Sequence, residues 1–265
     1  MKCLKFKIET VYLTNFRKPF STITILSYPF PPYTTIRGLL ANALGLGDLI
    51  SNRDDYNEEL ANLKISLKLL NKPERFQDVV LMKKLKSPAG AKDRKKLLNK
   101  LRESNFNISI LTEKERNFYE KLRTPESTSA PFVKELITPI ECIIFLLGEE
   151  SKLLEIRRVL NNPVRPLYIG SSDDFVIISR ISDFLDVKET QSQEIDSIVK
   201  INEEVQPVDK KQIIGRIPYI FKVINKKTRD YSRIDWIIAV PEPGEKVRLN
   251  KAINCYEVEN EYIAF

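Results

Sequence analysis

The hydrophobic positions of this chain change period along its length, and each change marks an element. From Lys2 to Tyr12 the pattern alternates. Leu4, Phe6 and Ile8 point one way and Lys5, Lys7 and Glu9 the other, which predicts a half-buried β-strand. The run Tyr28 to Gly45 reads in two halves. Pro29, Pro31 and Pro32 impose an extended approach. Ile36, Leu39, Leu40, Ala43 and Leu44 then recur at helical spacing and predict a helix over 35–44. Thr34 or Thr35 is expected to cap its start, and Gly45 and Gly47 to close it. Lys64 to Leu69 alternates again, as a second strand. Residues 52–62 are polar and suit a short helix or a loop.

The same reading continues past the middle of the chain. Cys142 to Leu147 is an unbroken apolar run, a buried strand. Glu149 or Ser151 opens a helix that buries Leu153, Leu154, Ile156, Val159 and Leu160, and Asn161, Asn162 and Pro163 stop it. Leu167–Ile169 and Phe175–Ile178 read as strands around a turn at Gly170. Strand, helix, strand, strand, helix, strand is the order of a ferredoxin-like (RRM-type) unit. The fold class expected is therefore α+β: a ferredoxin-like body over 1–180, with a long basic arm inserted between its middle strands at about 71–131. That excursion reads as irregular and poor in core signals, with hairpin arms near 78–87 and 130–138. A smaller β-rich part is expected over 181–265, with strands at 217–224, 234–240 and 256–265.

Charge sharpens this outline. The net charge is +7 and the isoelectric point about 9.1, which favours a polyanionic partner. Residues 83–102 carry Lys83, Lys84, Lys86, Lys92, Arg94, Lys95, Lys96, Lys100 and Arg102 against Asp93. Residues 183–209 lean the other way, with eight acids against Lys188 and Lys200. The segregation suggests two surfaces with different partners, or two solvated charged segments. Cys3, Cys142 and Cys255 lie far apart in apolar surroundings and read as buried, reduced thiols of a cytoplasmic protein. No apolar run approaches ~20 residues, so no membrane span is expected.

Catalytic chemistry is sparse. Histidine is absent, which removes the commonest general acid–base and the commonest metal ligand. Zinc-type cysteine spacing, a phosphate-binding glycine loop and a nucleophile elbow are all missing, so no metal and no cofactor is implied. The carboxylate pairs Asp54-Asp55, Glu58-Glu59 and Asp173-Asp174 read as solvated loops or helix caps. The positive features suit holding RNA. Phe16, Arg17, Lys18, Tyr28, Tyr33 and Arg37 crowd the start of the first helix, where free N–H groups favour an anion. Arg37 is expected on or near the outer side of that helix. Phe16, Phe20 and Phe30 fit a core more readily than a stack, while Tyr28 and Tyr33 fit either. Lys83, Lys84, Lys86, Lys92, Arg94, Lys95 and Lys96 make the arm a second candidate site. A further basic and aromatic group, Arg216 to Trp236, fits an RNA-facing sheet and an ordinary amphipathic hairpin equally well.

Two motifs carry a resemblance to a known family. Tyr28-Pro29-Phe30-Pro31-Pro32, followed by Thr35-Ile36-Arg37-Gly38-Leu39-Leu40 and Ala43-Leu44-Gly45, resembles the Cas-five family, RAMP-type proteins of type I CRISPR surveillance complexes. Pro166-Leu167-Tyr168-Ile169-Gly170 is similar to that family's turn after the second core helix. The resemblance implies a subunit that caps the five-prime handle of the CRISPR RNA within Cascade. It also implies two protein partners, a repeating backbone RAMP subunit and a large subunit, in antiviral defence. One subtype of the family cuts the CRISPR repeat with a histidine-containing site. This chain has no histidine, so that activity does not carry over. A metal-independent repeat endoribonuclease and a general RNA-binding scaffold outside CRISPR remain the alternatives.

Overall fold

The structure, a computed structural model, describes residues 1–19, 24–47, 60–85, 91–123, 127–171, 174–225, 228–230 and 235–265. In chain order the strands of the first half are β1 (Lys2–Thr10), β2 (Phe16–Arg17), β3 (Thr24–Ile25), β4 (Ser27–Tyr28), β5 (Lys64–Leu69), β6 (Arg75–Leu85), β7 (Ser127–Ile137) and β8 (Glu141–Gly148). Those of the second half are β9 (Val176–Ser179), β10 (Leu185–Asp186), β11 (Lys188–Ile195), β12 (Val199–Lys200), β13 (Gln212–Pro218), β14 (Lys222–Asn225), β15 (Thr228–Asp230), β16 (Asp235–Pro241), β17 (Val247–Val258) and β18 (Glu261–Ile263). The helices are α1 (Tyr33–Leu44), α2 (Ala91–Glu103), α3 (Glu113–Arg123) and α4 (Glu150–Asn161), with a 3-10 turn at Ile108–Ile110.

The central sheet runs β5-β8-β1, and both β9 and β10 pair with the far side of β1, all antiparallel. Its two faces follow from the alternation. Leu4, Phe6, Ile8, Ile65, Leu67, Ile144 and Leu146 join Ile36, Leu39 and Leu40 of α1 and Leu153 and Ile156 of α4 in one core. Cys3, Ile143, Phe145 and Leu147 point the other way and meet Val258, Ile263 and Phe265. The three cysteines are buried and free, and burial pushes the Cys3 thiol up to about 12. Among the described residues no helix is long and apolar enough to cross a membrane.

The chain divides into two compact units, residues 1–77 with 135–265, and residues 78–134. Two expectations change here. Residues 181–265 do not form a unit of their own, because Ile198, Ile217, Ile238 and Val240 belong to the same apolar core as α1 and the central sheet. Residues 78–134 are not irregular, although strands do lie at the hairpin arms expected near 78–87 and 130–138. β6 and β7 are hydrogen-bonded neighbours, and between them lie two helices. Leu97 and Leu101, one turn apart on α2, bury against Leu111 with Phe118, Tyr119 and Leu122 beside them. This small core is hard to read in a sequence so dominated by lysine. The second unit is also fastened by a capping box: Thr112 N–H donates to Glu115 at 2.9 Å, and Glu115 N–H donates to the Thr112 hydroxyl at 3.3 Å. Lys100 on α2 reaches the same Glu115 carboxylate at 2.6 Å, and together these interactions hold that carboxylate down at about 2.

Candidate nucleic-acid interface

The first helix starts differently from the expectation. Its N-cap is Pro32, with no side-chain cap, rather than Thr34 or Thr35. Its C-cap is Gly45 in the left-handed conformation (φ 73°), as its place after the last apolar position predicts. The Arg165 guanidinium holds the turn just beyond this end, donating to the carbonyls of Gly45, Leu46 and Gly47 at 2.8–3.0 Å. Val164 N–H donates to Ala43, and Asn42 donates to the Pro166 carbonyl. The two motifs that carry the family resemblance therefore meet in space, with residues 164–166, at the start of the second, clamping the end of the helix in the first.

The Gly170 turn is locked by one carboxylate. Asp174 accepts from the Thr14 hydroxyl at 2.6 Å and from the Ser171 N–H and hydroxyl at 3.0 Å. Gly170 has φ +96°, and a Cβ there would lie 2.8 Å from Asp174 Oδ2 and 2.9 Å from the Asn15 carbonyl oxygen. Asp174 is thus a turn lock rather than a solvated charge, while Asp173 lies outside the described residues.

The residues expected at the first site separate into two groups. Phe16 and Tyr28 pair across β2 and β4 and are buried, at 1% and 7% exposure. Phe16 is therefore a core residue and not a stacking one. Lys18 lies over the Tyr28 ring at 5.5 Å, and Arg17 is exposed. Arg37 is the largest departure. It is fully buried, not outward-facing. Its guanidinium donates to the carbonyls of Leu60 at 3.3 Å, Leu63 at 3.4 Å and Tyr219, and lies 4.6 Å from the Tyr219 ring. Burial lowers its pKa, and Tyr219 opposes the shift. Among the described residues no carboxylate pairs with it. Tyr33 packs edge-on against Tyr219 and Trp236, which stack on each other at 3.9 Å, and burial pushes its phenol up. Arg37 and Tyr33 thus seat α1 on the segment that joins β13 to β16. The expectation failed because it gave α1 a single apolar face. The helix is covered by the central sheet, by α4 and by β13, so a cation on its second face is enclosed too.

The charge divides by unit. Residues 78–134 hold 14 of the 43 lysines and arginines but 7 of the 36 acids, so they account for the whole net charge of +7 and leave the body neutral. The acidic stretch 183–209 explains that neutrality. Asp183 pairs with Arg157, Asp186 with Lys2, Glu194 with Arg248, Asp196 with Lys246 and Glu204 with Lys251. Five of its eight acids are thus in ion pairs within the body, so most of its charge is compensated there. In the second unit Arg94, Lys95 and Lys96 are exposed on α2, with Lys95 and Lys96 facing away from the buried Leu97 and Leu101. Arg102, which sequence placed in the basic stretch but not at the site, is exposed on the same helix. Lys83, Lys84 and Lys92 fall in β6 and α2, where only the backbone is described, and Lys86 and Phe20 lie outside the described residues. Of the Arg216 to Trp236 group, Tyr219 and Trp236 join the core, Arg216 is exposed, and residues 226–227 and 231–234 lie outside the described residues.

A neutral α+β body and a separate polycationic unit make up this chain, and its fold recurs among CRISPR proteins. The chain is similar to a crystal structure of a CRISPR protein from Archaeoglobus fulgidus, at 16% identity and a TM-score of 0.54, over 99% of this chain and 98% of that one. It is also similar in fold to a chain of a CRISPR RNA-guided surveillance complex, at 11% identity and a TM-score of 0.50, over 92% and 91% of the two chains. No curated protein sequence matches. The sequence model of the CRISPR-associated protein (Cas_Cas5) family matches residues 3–234, and the chain belongs to that family.

Proposed function

We propose that this protein is a non-catalytic RNA-binding subunit of a type I CRISPR surveillance complex and caps the five-prime handle of the CRISPR RNA. The observation that carries the reading is the concentration of all the net charge on residues 78–134, with the rest of the chain neutral. Nucleic-acid affinity comes largely from phosphate neutralisation, and such a unit supplies the cations for it. Membership of a CRISPR-associated family and the fold shared with a chain of an RNA-guided complex support the choice of partner. The strand order β5-β8-β1-β9, with α1 and α4 on one face, supports a ferredoxin-like body. The expected protein partners are a backbone RAMP subunit and a large subunit, in the cytoplasm.

The absence of histidine supports holding over cutting. The test is purification from the native host with sequencing of the bound RNA, beside incubation of the purified protein with repeat RNA, with and without divalent ions. RNA enriched in one five-prime handle and left intact is the expected result. A discrete cut that vanishes when a tyrosine or lysine near residues 16–37 is changed would instead make the protein a metal-independent endoribonuclease.

A further inference from the structure

The end of α2 carries an unusual residue. Asn105 and Phe106 both have positive φ, at 50° and 61°. Asparagine tolerates the left-handed region, but a phenylalanine there is strained, and glycine is the residue that fits. The turn that imposes this conformation is well tied. Phe106 N–H donates to the Leu101 carbonyl at 2.6 Å, Asn107 N–H to Ser104 at 3.0 Å, and the Ser104 hydroxyl to Leu101 at 3.0 Å. Asn107 then accepts from the Ser109 N–H and hydroxyl, fixing the next turn. The strain brings no burial in return. Phe106 is 63% exposed and stays outside the small core of Leu97, Leu101 and Leu111. A rigid turn therefore holds an aromatic ring out in water.

The surroundings indicate what would cover it. Arg94, Leu98 and Arg102 recur at four-residue spacing along the outer stripe of α2, all exposed, with Lys95 and Lys96 beside them. Among the described residues Lys95, Lys96 and Arg102 have no ionic partner. An exposed ring at the end of a row of cations offers a single strand both of its usual contacts, in which phosphates meet cations and an unstacked base meets an aromatic face. A protein partner would have to bring carboxylates for these cations as well as an apolar cover for the ring, whereas a single strand carries both a phosphate and a base in every nucleotide.

We propose that Phe106 is a base-stacking residue for single-stranded RNA, with Lys95 and Arg102 on phosphates to one side of that base. This rests on the RNA-binding reading above and adds a defined interaction to it. The experiment uses the full-length protein and a single-stranded RNA from the CRISPR repeat of its own locus, with 2-aminopurine placed at each position in turn. Phe106→Gly removes the ring and relieves the positive φ, so the variant should melt no lower than wild type. It should bind roughly ten- to hundredfold more weakly, the loss expected for one stacked base. Its salt dependence should be unchanged, and the fluorescence quenching at one probe position should disappear. Phe106→Trp should restore both. The double variant K95Q/R102Q should show the opposite pattern, a flatter salt dependence with quenching retained. Wild-type affinity in Phe106→Gly, with K95Q/R102Q still flattening the salt slope, would overturn the stacking role and leave the RNA-binding reading intact. No RNA binding by the wild-type chain would overturn both. Loss of a co-purifying protein from Phe106→Gly at unchanged RNA affinity would make the ring a protein-binding residue and overturn the proposal.

Discussion

Arg37→Met tests whether the arginine at the start of α1 is a structural residue. Methionine keeps much of the volume and removes all the donors, so packing changes little while the carbonyls of Leu63 and Tyr219 lose the guanidinium and that of Leu60 keeps the Leu63 N–H. A buried acceptor left unsatisfied costs ~1–3 kcal/mol, with the partly buried Tyr219 carbonyl at the low end. Removing the cation from the Tyr219 ring, 4.6 Å away, adds about 1–2 kcal/mol. The guanidinium no longer has to be desolvated, which offsets part of this sum. The net expectation is a destabilisation of roughly 3–5 kcal/mol, a large share of the ~5–15 kcal/mol typical of a folded protein. At about 2–4 °C per kcal/mol this lowers the melting midpoint by on the order of 10 °C. Arg37→Lys should recover part of it, because one ammonium cannot reach three carbonyls in the planar pattern of the fork. The assay is urea and thermal unfolding of wild type and both variants, followed by RNA affinity measured well below the lowest midpoint. Affinity should be unchanged. A midpoint within about 2 °C of wild type, or weakened affinity at full stability, would refute the structural role and return Arg37 to the RNA.

Three further outcomes are expected. Glu115 has its folded-state pKa lowered to about 2 from an ordinary 4.5, first by Lys100 and then by the Thr112 N–H and hydroxyl. A lowered carboxylate stabilises the fold fully above its unfolded value and loses that contribution as pH falls through the folded one. The difference in unfolding free energy between wild type and E115Q should therefore be widest above about pH 4.5 and close toward pH 2, as read by urea titrations across that range. Gly170→Ala should cost roughly 2–4 kcal/mol, through the positive φ and the collision with the Asp174 clasp, and chemical denaturation will report it. The triple variant R94Q/K95Q/K96Q should change stability by less than about 0.5 kcal/mol, because these groups are exposed. Its RNA affinity should fall, and the slope of log affinity against log salt should shrink by up to ~0.7 for each phosphate that is no longer neutralised.

The sequence by itself determined the elements of the body. Strict alternation over β1 and β5, the apolar run of β8 and the helical spacing in α1 and α4 all appear in the structure close to the positions read from them, except that Leu154 of α4 is exposed rather than buried. These signals are local: each depends on the period of a single segment, and the central sheet satisfies that period on both faces. The Gly45 cap was legible for the same reason, since a glycine after the last apolar position has few other uses. Arg37 was not legible. Its burial depends on Tyr219 and Trp236, some 180 residues downstream, which close over a face of α1 that the local pattern marks as polar. The acidic stretch was equally misleading, because its partners Lys2, Arg157, Lys246, Arg248 and Lys251 are mostly remote in sequence and only folding turns a charged segment into neutral pairs. In residues 78–134 two leucines one turn apart were hidden among lysines. Their pairing with Leu111 and the helix behind it required two helices to meet, and that meeting is what presents Phe106 and the outer cations of α2 to solvent.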